Sequence, residues 1–431
     1  MRFMNKYNVD KNFDDIFEVN PKVLISKNAD TNFIEMKDLN PDLRIVESNK
    51  KKKFNGSGSK FFDGDTLFAR ITPCLENGKI SQYRGDNVSF GSGEFIILRG
   101  RKGISTNDFT YYYSNWDKFR QYAIKNMVGT SGRQRVPPES LKSWKTNIPD
   151  IETQKKITFC LSQFDNKIEL NQKKIQVLKK IINSKFISWF IDFESNKKNT
   201  ELSLKKLNKK ILKLFPDKLE DSELGKIPKN GKIVTLGDLI DRKKQKIGGK
   251  KFKIFSAVNS SELILSDEYF NKQVYSKKQN NYLKVEKYDF AFNPSRINIG
   301  SIGMNKFNFS GAVSPVYIVF KPKFEFQWFI ENFLKFDTIK NKIKQLSFGS
   351  VRQSLSYDDL CSIKLIKPDT NLLIIFNKFA KSFEEKIKNI NDQTKILIKT
   401  RDEILPHLIS GELSVENIKD YFEKEIVNES Y

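Results

Sequence analysis

The string Gly132-Arg133-Gln134-Arg135-Val136 recurs as Val351-Arg352-Gln353-Ser354-Leu355, so Arg133 corresponds to Arg352, 219 residues later. The same offset relates further pairs along the chain: Leu141 and Leu360, Pro149 and Pro368, Phe164 and Phe383, Ile168 and Ile387, Leu178 and Leu397. A period near half of the chain indicates two copies of one module rather than a solenoid of short repeats. Two similar modules in one polypeptide suit a partner with twofold pseudosymmetry, and a split DNA site is one such partner.

The composition indicates a folded, basic protein. The 431 residues suggest two to four domains, and 38% of them are hydrophobic. The chain has 76 lysines and arginines against 52 acidic residues, a formal charge of +24. This surplus favours a polyanionic partner, most simply nucleic acid. An acidic membrane surface and the lysine-rich codon bias of an AT-rich genome remain as alternatives.

Cysteine usage and hydropathy predict a cytoplasmic protein. The three cysteines, at 74, 160 and 361, are far apart and odd in number, which is typical of reduced thiols. No stretch approaches the roughly 18 apolar residues of a membrane span. Residues 1–15 are charged and have no apolar core, so no signal peptide is expected.

Each module opens with a mixed segment of strands and one helix. In the first copy, residues 65–70 and 94–98 are predicted as buried strands, followed by an aromatic helix over 109–122. In the second copy, the corresponding predictions are strands over 289–292 and 315–320 and a helix over 328–346. Both modules therefore belong to a mixed α/β class.

After Pro149 and Pro368 the pattern changes to heptads. The seam positions are Ile157, Leu161, Phe164, Ile168, Asn171, Ile175, Leu178 and Ile182 in the first copy, and Phe376, Ala380, Phe383, Ile387, Ile390, Thr394, Leu397 and Arg401 in the second. This spacing predicts two helices of about forty residues, roughly 60 Å long, that pack antiparallel as a coiled coil. The polar seam residues Asn171, Thr394 and Arg401 are either tolerated at a helix end or rim, or select the pairing register.

The residues needed for catalysis are missing from the sequence. His407 is the single histidine, and no Gly-x-x-x-x-Gly-Lys-Ser/Thr phosphate loop is present. The Gly-x-Gly at 91–93 precedes a predicted strand rather than a helix, so it is not a dinucleotide fingerprint. Residues 293–295 (Asn-Pro-Ser) lack the second proline and the aromatic residue of the adenine methyltransferase motif. We therefore predict no catalytic, metal-binding or cofactor-binding residue in this chain.

Polar residues in the loops of each module are candidates for DNA recognition, because Arg and Gln can bond base edges and Ser or Gly admits the phosphate backbone. The candidates are Arg70, Thr72, Lys79, Ser131, Arg133, Gln134 and Arg135 in the first module, and Ser295, Arg296, Asn298, Ser350, Arg352, Gln353 and Ser354 in the second. For any one arginine the alternative is a solvated surface charge. The repeated Arg-Gln could also be structural, whereas the divergent loops 72–79 and 295–303 are better placed to read different sequences.

Several strings resemble the specificity subunit of type I restriction–modification systems. They are residues 129–135, 188–194 (Ser-Trp-Phe-Ile-Asp-Phe-Glu), 221–229 (Asp-Ser-Glu-Leu-Gly-Lys-Ile-Pro-Lys), 234–239 (Val-Thr-Leu-Gly-Asp-Leu) and 408–413 (Leu-Ile-Ser-Gly-Glu-Leu). The resemblance to this family extends over essentially the whole chain. Two departures are Asn230-Gly231, where the family commonly has Gly-Trp, and residues 13–17, which lack a clear Leu-Gly-Asp entry.

The resemblance implies an α+β protein with two similar target-recognition domains separated by two long antiparallel coiled-coil helices, in a pseudo-twofold arrangement. The predicted boundaries are 1–149 (first recognition domain), 150–194 (first long helix), 195–231 (linker), 232–367 (second recognition domain), 368–412 (second long helix) and 413–431 (C-terminal tail). Each domain would read one half of a bipartite double-stranded DNA target.

The same resemblance implies that the helices set the unread gap and bind two methyltransferase subunits. Those subunits would carry S-adenosylmethionine and methylate adenine, and further motor-nuclease subunits would use ATP and magnesium. An orphan or phase-variable specificity subunit, or a non-catalytic coiled-coil scaffold that binds nucleic acid, remains as an alternative. The target bases depend on loop geometry and are not predicted.

Overall fold

The computed structural model describes residues 11–130, 132–193, 211, 213–270, 273–348 and 354–418. The chain divides into two compact units, Met1–Lys174 with Asn389–Tyr431, and Ile175–Lys388. Each unit contains one copy of the repeated module together with part of both long helices. The predicted α+β class is confirmed, while the boundaries of the individual domains stay a prediction.

The two predicted long helices are present as continuous elements. The first long helix is Ile151–Phe190, with 40 residues, and the second long helix is Thr370–Ser410, with 41. In the first unit, Asp165 contacts Arg401 and Asn171 contacts Thr394, so ascending numbers on one helix meet descending numbers on the other. The predicted antiparallel pairing is therefore observed within this unit.

The three polar seam residues are buried rather than placed at a rim. Asn171, Thr394 and Arg401 are 1%, 8% and 7% exposed. The Asn171 Nδ2 donates to the Thr394 Oγ1 at 3.1 Å, and the Arg401 Nη1 donates to Asp165 at 2.7 Å. Each therefore has a polar partner on the facing helix, as a register-selecting role requires, and that role stays a prediction.

The Asn171→Ala variant is expected to lower the free energy of unfolding by about 1–3 kcal/mol, because the Thr394 hydroxyl loses a buried partner on the facing helix. The double variant Asn171→Leu/Thr394→Val should recover most of this loss, since it removes the Thr394 oxygen, which in Asn171→Ala keeps only its bond to the Ile390 carbonyl. Urea denaturation of both variants checks the expectation. A double variant that is less stable than Asn171→Ala would contradict it.

The first unit is built on a five-stranded sheet. Four antiparallel strands lie side by side in the order Phe17–Val19, Phe95–Gly100, Thr66–Ala69 and Ile80–Tyr83, and Ile45–Val46 adds a parallel edge. The central strand Thr66–Ala69 is buried along its whole length, as expected for a short strand covered on both faces. The other strands are Lys11–Asn12 with Lys145–Thr146, and a second sheet in the order Lys51–Lys53, Asp30–Ile34, Ser89–Gly91 and Ser59–Phe61. The shorter helices are Phe13–Ile16, Met36–Asp38, Asn107–Asn115, Asp117–Lys125, Pro138–Lys142 and Val415–Asn417.

The second unit repeats the central part of this sheet. Its four antiparallel strands lie in the order Ile240–Lys243, Ile318–Pro322, Phe290–Phe292 and Ile302–Met304. The remaining strands form two-stranded pairs: Leu219–Ser222 with Gly225–Pro228, Ile233–Thr235 with Lys364–Ile366, Phe255–Val258 with Glu262–Leu265, and Leu283–Val285 with Gly311–Val313. The shorter helices are Leu236–Leu239, Ser266–Tyr269, Ile297–Ile299, Gln327–Lys335, Asp337–Phe348 and Tyr357–Cys361.

The entry into the module is also repeated, although the sequence alone did not show it. The helix Phe13–Ile16 follows a strand that pairs with Lys145–Thr146, and Leu236–Leu239 follows a strand that pairs with Lys364–Ile366. In each helix the third residue, Asp15 or Asp238, accepts a backbone hydrogen bond from the residue before the helix. The residues 13–17 thus take the structural place of the Leu-Gly-Asp string.

The prediction of a single aromatic helix over 109–122 is wrong. The structure has two helices, Asn107–Asn115 and Asp117–Lys125, separated by Trp116. Trp116 has φ −60° and ψ 123°, which is extended backbone, so the helical hydrogen bonds stop there. Apolar spacing of three and four persists on both sides, and the periodicity therefore does not reveal the break.

The second module has the same break. The helix predicted over 328–346 is divided into Gln327–Lys335 and Asp337–Phe348 by Phe336, at φ −68° and ψ 134°. An aspartate opens the following helix in both modules, where a negative charge suits the helix N-terminus. A bent helix pair is therefore part of the repeated module.

The predicted linker and tail are partly packed. Within the linker 195–231, Leu219–Ser222 and Gly225–Pro228 form a hairpin, and Phe215 is buried in the core of the second unit. Residues 194–210 and 212 lie outside the described residues. Of the tail, Leu413 packs on the core of the first unit, and Glu416 pairs with Lys156 at 3.0 Å.

Candidate nucleic-acid interface

In the first unit, the turn after a central strand and the repeated Gly-Arg-Gln loop lie side by side. The Val136 amide donates to the Arg70 carbonyl at 2.8 Å, next to the end of strand Thr66–Ala69. The Thr72 amide donates to the Gln134 carbonyl at 3.0 Å, and the Gln134 amide donates to the Thr72 Oγ1 at 3.1 Å. The structure therefore brings Gln134 to Arg70 and Thr72, from which it is more than sixty residues away in sequence.

Three basic candidates in the first unit differ in exposure and in their contacts with other protein groups: Arg133, Arg135 and Lys79. Arg133 is exposed to solvent. The guanidinium of Arg135 instead makes three bonds to the Glu94 carboxylate, at 3.0, 3.0 and 2.7 Å, and this partner raises the pKa of Arg135. The Lys79 Nζ donates to the Met36 carbonyl at 2.8 Å. Any bond from the Arg135 guanidinium to a DNA base would have to replace its bonds to the Glu94 carboxylate. The sequence analysis did not predict this ion pair.

Arg70 is half-buried at the end of the central strand. Its amide donates to the Glu94 carbonyl at 2.9 Å. Its Nε is buried and has no hydrogen-bond partner among the residues that the structure describes. A buried guanidinium nitrogen without a partner is unusual in proteins, so the fold leaves the hydrogen bonding of Arg70 incomplete at this loop pair.

In the second unit, the loop after the equivalent strand Phe290–Phe292 presents its candidates to solvent. Ser295 and Arg296 are exposed, and Asn298 is half-buried in the short helix Ile297–Ile299. Gly300 closes this turn at φ +92°, and a Cβ there would lie 2.6 Å from the Asn259 carbonyl oxygen. The turn therefore requires glycine at this position.

Leu355, the last residue of the second copy of the repeated string, contacts this loop as Val136 does in the first unit. The Leu355 amide donates to the Pro294 carbonyl at 3.1 Å, just as Val136 donates to Arg70. Leu355 and Val136 are both 0% exposed and are related by the repeat offset. Ser354 is described and half-buried, while Ser131, Ser350, Arg352 and Gln353 lie outside the described residues. The candidate interface is thus a pair of loops at the end of a central strand in each unit, and its DNA contacts stay a prediction.

Several lysines that contribute to the net charge have acidic partners. Lys50 and Lys52 approach Glu35 at 3.1 and 3.5 Å, and hydrogen bonds from Lys37 and Lys50 lower the pKa of Glu35 to about 2. Lys243 pairs with Glu286 and with the buried Asp289, both at 2.7 Å. These lysine runs are therefore partly neutralised by the fold itself.

Across the described ranges, no group of three or more His, Cys, Asp or Glu side chains is placed to hold a metal ion. None of the described helices is long and apolar enough to cross a membrane. The absence of cofactor, metal and catalytic residues from this chain stays a prediction.

Comparison with known proteins defines the class. Residues 5–180 match the family model described as the type I restriction modification DNA specificity domain. The chain is 27% identical to the type I restriction enzyme MjaIX specificity subunit of Methanocaldococcus jannaschii, over 72% of this chain and 70% of that protein. It is 24% identical to the HindI specificity subunit of Haemophilus influenzae, over 94% and 97%.

A solved structure shows the same fold. The type I restriction–modification S subunit from M. genitalium superposes with a TM-score of 0.50 at 16% identity, over 95% of this chain and 98% of that one. The fold and these likenesses define a DNA specificity protein of two repeated modules. Residues 5–180 thus carry the DNA specificity domain of type I restriction–modification systems, and the chain is similar to the specificity subunits of those systems over most of its length.

Proposed function

We propose that each target-recognition domain reads one half of a bipartite DNA target, and that the two long helices set the length of the unread gap. The observation that carries this proposal is the repeated loop pair, held by Val136 on Arg70 in one unit and by Leu355 on Pro294 in the other. The loops beside these contacts differ in sequence, so two copies of one scaffold can read two different half-sites.

The long helices are the proposed binding surface for two methyltransferase subunits. In the first unit, Phe159 and Leu170 are exposed on the first long helix, about 20° apart around its axis at 3.6 residues per turn. In the second unit, Val177 and Ile181 are exposed on the same helix, about 40° apart. Exposed apolar side chains on one helical face are typical of surfaces that bind another protein.

The chemistry of the complex is proposed to lie in the partner subunits. The methyltransferase subunits would bind S-adenosylmethionine, and motor-nuclease subunits would bind ATP and magnesium. This chain would supply DNA recognition alone, from a cytoplasmic location. The surplus of 76 basic over 52 acidic residues supports binding to duplex DNA, because the neutralisation of phosphates by basic side chains releases counterions.

Methylation mapping tests this proposal. The chain is expressed with the methyltransferase subunits of its own system in a host without adenine methylation, and methylated positions are sequenced. We expect one bipartite motif with a fixed gap. The purified chain alone, supplied with S-adenosylmethionine, ATP and magnesium, should neither methylate nor cleave DNA. An uninterrupted motif, or methyl transfer by the chain alone, would contradict the proposal.

The Arg296→Ala variant is expected to relax one base position in the second half-site at a cost of about 1–3 kcal/mol, because an exposed arginine in the divergent loop is suited to bidentate base contact. Binding of the complex is measured against single-base variants of both half-sites at two salt concentrations.

The matched control for this measurement is Arg133→Ala, which changes an exposed arginine in the repeated string. It should weaken all sequences alike and flatten the salt dependence, as the loss of a phosphate contact does. If Arg296→Ala altered the preference only in the half-site read by the first domain, the assignment of domains to half-sites would be wrong.

A further inference from the structure

A charged cluster lies where each target-recognition domain packs on a long helix. In the first unit, the Tyr112 hydroxyl of the domain donates to Asp165 of the first long helix. In the second unit, Glu331 of the domain and Glu384 of the second long helix are joined by Lys306. The offset of 219 residues that defines the repeat also relates Asp165 to Glu384. Tyr112 and Glu331 lie on equivalent helices, four and five residues before the breaks at Trp116 and Phe336. Each unit therefore has a polar cluster where its domain packs on a long helix, but the side chains differ: a phenol and a carboxylate in the first unit, and two carboxylates and a lysine in the second.

In the first unit the cation of this cluster comes from a long helix. The Asp165 side chain is 4% exposed, and the Arg401 Nη1 of the second long helix lies 2.7 Å from its carboxylate. Burial, and after it Asp165, raises the pKa of Tyr112 well above its usual value, so the phenol is neutral. The nearby Arg44 guanidinium bonds the Gln82 amide oxygen at 3.0 and 2.8 Å and pairs with Asp108. Arg401 is therefore the direct counter-ion of Asp165.

In the second unit the cation comes from the recognition domain. Lys306 follows the strand Ile302–Met304, and its Nζ lies 2.7 Å from Glu331 and 2.8 Å from Glu384. Burial alone would lower the pKa of Lys306, but the two carboxylates raise it above its usual value. Lys335 of the same domain adds a second contact to Glu331 at 2.7 Å. Both positive charges are thus carried by the domain.

In the second unit, the first long helix has no cation at the position that corresponds to Arg401. The repeat offset relates Arg401 to Ile182, which is 4% exposed. Ile182 lines a cavity of about 300 Å³ together with Glu331 and Glu384. An arginine at position 182 would therefore face Glu331 and Glu384, the two carboxylates that Lys306 contacts.

We propose that the source of this cation commits each recognition domain to its own helix pair, so that the two domains are not interchangeable. The first helix pair supplies its own cation, and its domain contributes a neutral phenol. The second helix pair supplies the Glu384 carboxylate, and its Lys179, which lines the same cavity, is paired with Glu262 of the domain at 2.6 Å. The domain therefore brings the lysine that contacts Glu384. A domain of the first kind placed on the second helix pair would leave the partly buried Glu384, whose side chain is 17% exposed, without the Lys306 counter-ion, which is destabilising.

A cycle of point variants in the full-length chain tests the proposal. The variants are Lys306→Met, Ile182→Arg and the two combined. Each single change should lower the Tm by about 5–15 °C. Lys306→Met removes the cation that lies between Glu331 and Glu384, and Ile182→Arg buries an additional cation beside Lys306. In the Lys306→Met background, by contrast, Ile182→Arg should raise the Tm and restore at least half of the loss that Lys306→Met causes. Additive losses in the double variant would overturn the proposal.

A domain transplant provides the functional readout, which rests on the proposed function. Residues 11–149 replace residues 232–367, with and without Ile182→Arg. The chimera should be more stable with Ile182→Arg and should direct methylation to a motif that contains the first half-sequence twice. Equal stability of the two chimeras would overturn the inference. A stable chimera with no doubled half-sequence would instead contradict the proposed function. If neither chimera folds, the point-variant cycle alone decides.

Discussion

The Arg401→Met variant is expected to lower the free energy of unfolding by about 3–5 kcal/mol, because it leaves the carboxylate of Asp165 buried without its cation. The side chains of Arg401 and Asp165 are 9% and 4% exposed, so water cannot replace the lost contact. Burial alone would lower the pKa of Arg401, but the surrounding groups, including Asp165 and Asp402, raise it. The arginine is therefore charged at any working pH.

Urea denaturation of Arg401→Met measures this loss, and two further variants serve as controls. Arg401→Met/Asp165→Asn removes both charges yet keeps an oxygen for the Tyr112 hydroxyl, and should recover most of the stability. Lys155→Met breaks an exposed pair with Glu152 on the same long helix and should cost less than about 1 kcal/mol. An Arg401→Met loss as small as that of Lys155→Met would contradict the expectation.

Inserting four residues into matching turns of both long helices is expected to change the DNA target itself. Four residues lengthen each helix by about 6 Å, close to two base-pair steps, and rotate the following part by roughly one helical turn. The unread gap should therefore lengthen by about two base pairs, while both half-sequences are kept. Methylation mapping of the variant complex provides the measurement.

The control for the insertion is the same change in one long helix alone. It would move Asn171 out of register with Thr394, and Asp165 out of register with Arg401, in the first unit. We expect this chain to be less stable than the variant with matched insertions. A folded, methylating variant that carries both insertions and keeps the original gap would reject the helices as the determinant of spacing.

The strength of a polar contact in this protein depends on burial more than on the number of charges. Lys243 contacts the fully buried Asp289, whereas Lys142 pairs with Glu139 on the surface of a short helix. Exposed pairs of this kind contribute little, because water screens them and the side chains lose freedom. The buried groups Asp165, Asp289 and Glu331 are therefore the positions at which a single substitution should have large effects.

The sequence alone determined the repeated organisation and the long helices. The heptads after Pro149 and Pro368 predicted helices of about forty residues, and the structure has Ile151–Phe190 and Thr370–Ser410. These features are predictable because periodicity is a local property that each turn of the helix repeats. The candidate loops were also placed at strand ends from local turn signals, as Arg70 and Arg296 illustrate.

The tertiary structure decided which residues meet. The breaks at Trp116 and Phe336 depend on a backbone ψ angle that packing selects, and the helical spacing continues across them. The partners Glu94 of Arg135 and Met36 of Lys79 lie about forty residues away in sequence, where no periodic signal connects them.

The charged clusters show the same division between sequence and structure. The 219-residue offset equates Asp165 with Glu384 in sequence, because the two modules share one pattern. Their cations are Arg401 and Lys306, which come from a helix in one unit and from a recognition domain in the other. Long-range ion pairs depend on where the folded chain brings side chains together in a buried environment, and this is decided by packing rather than by local sequence.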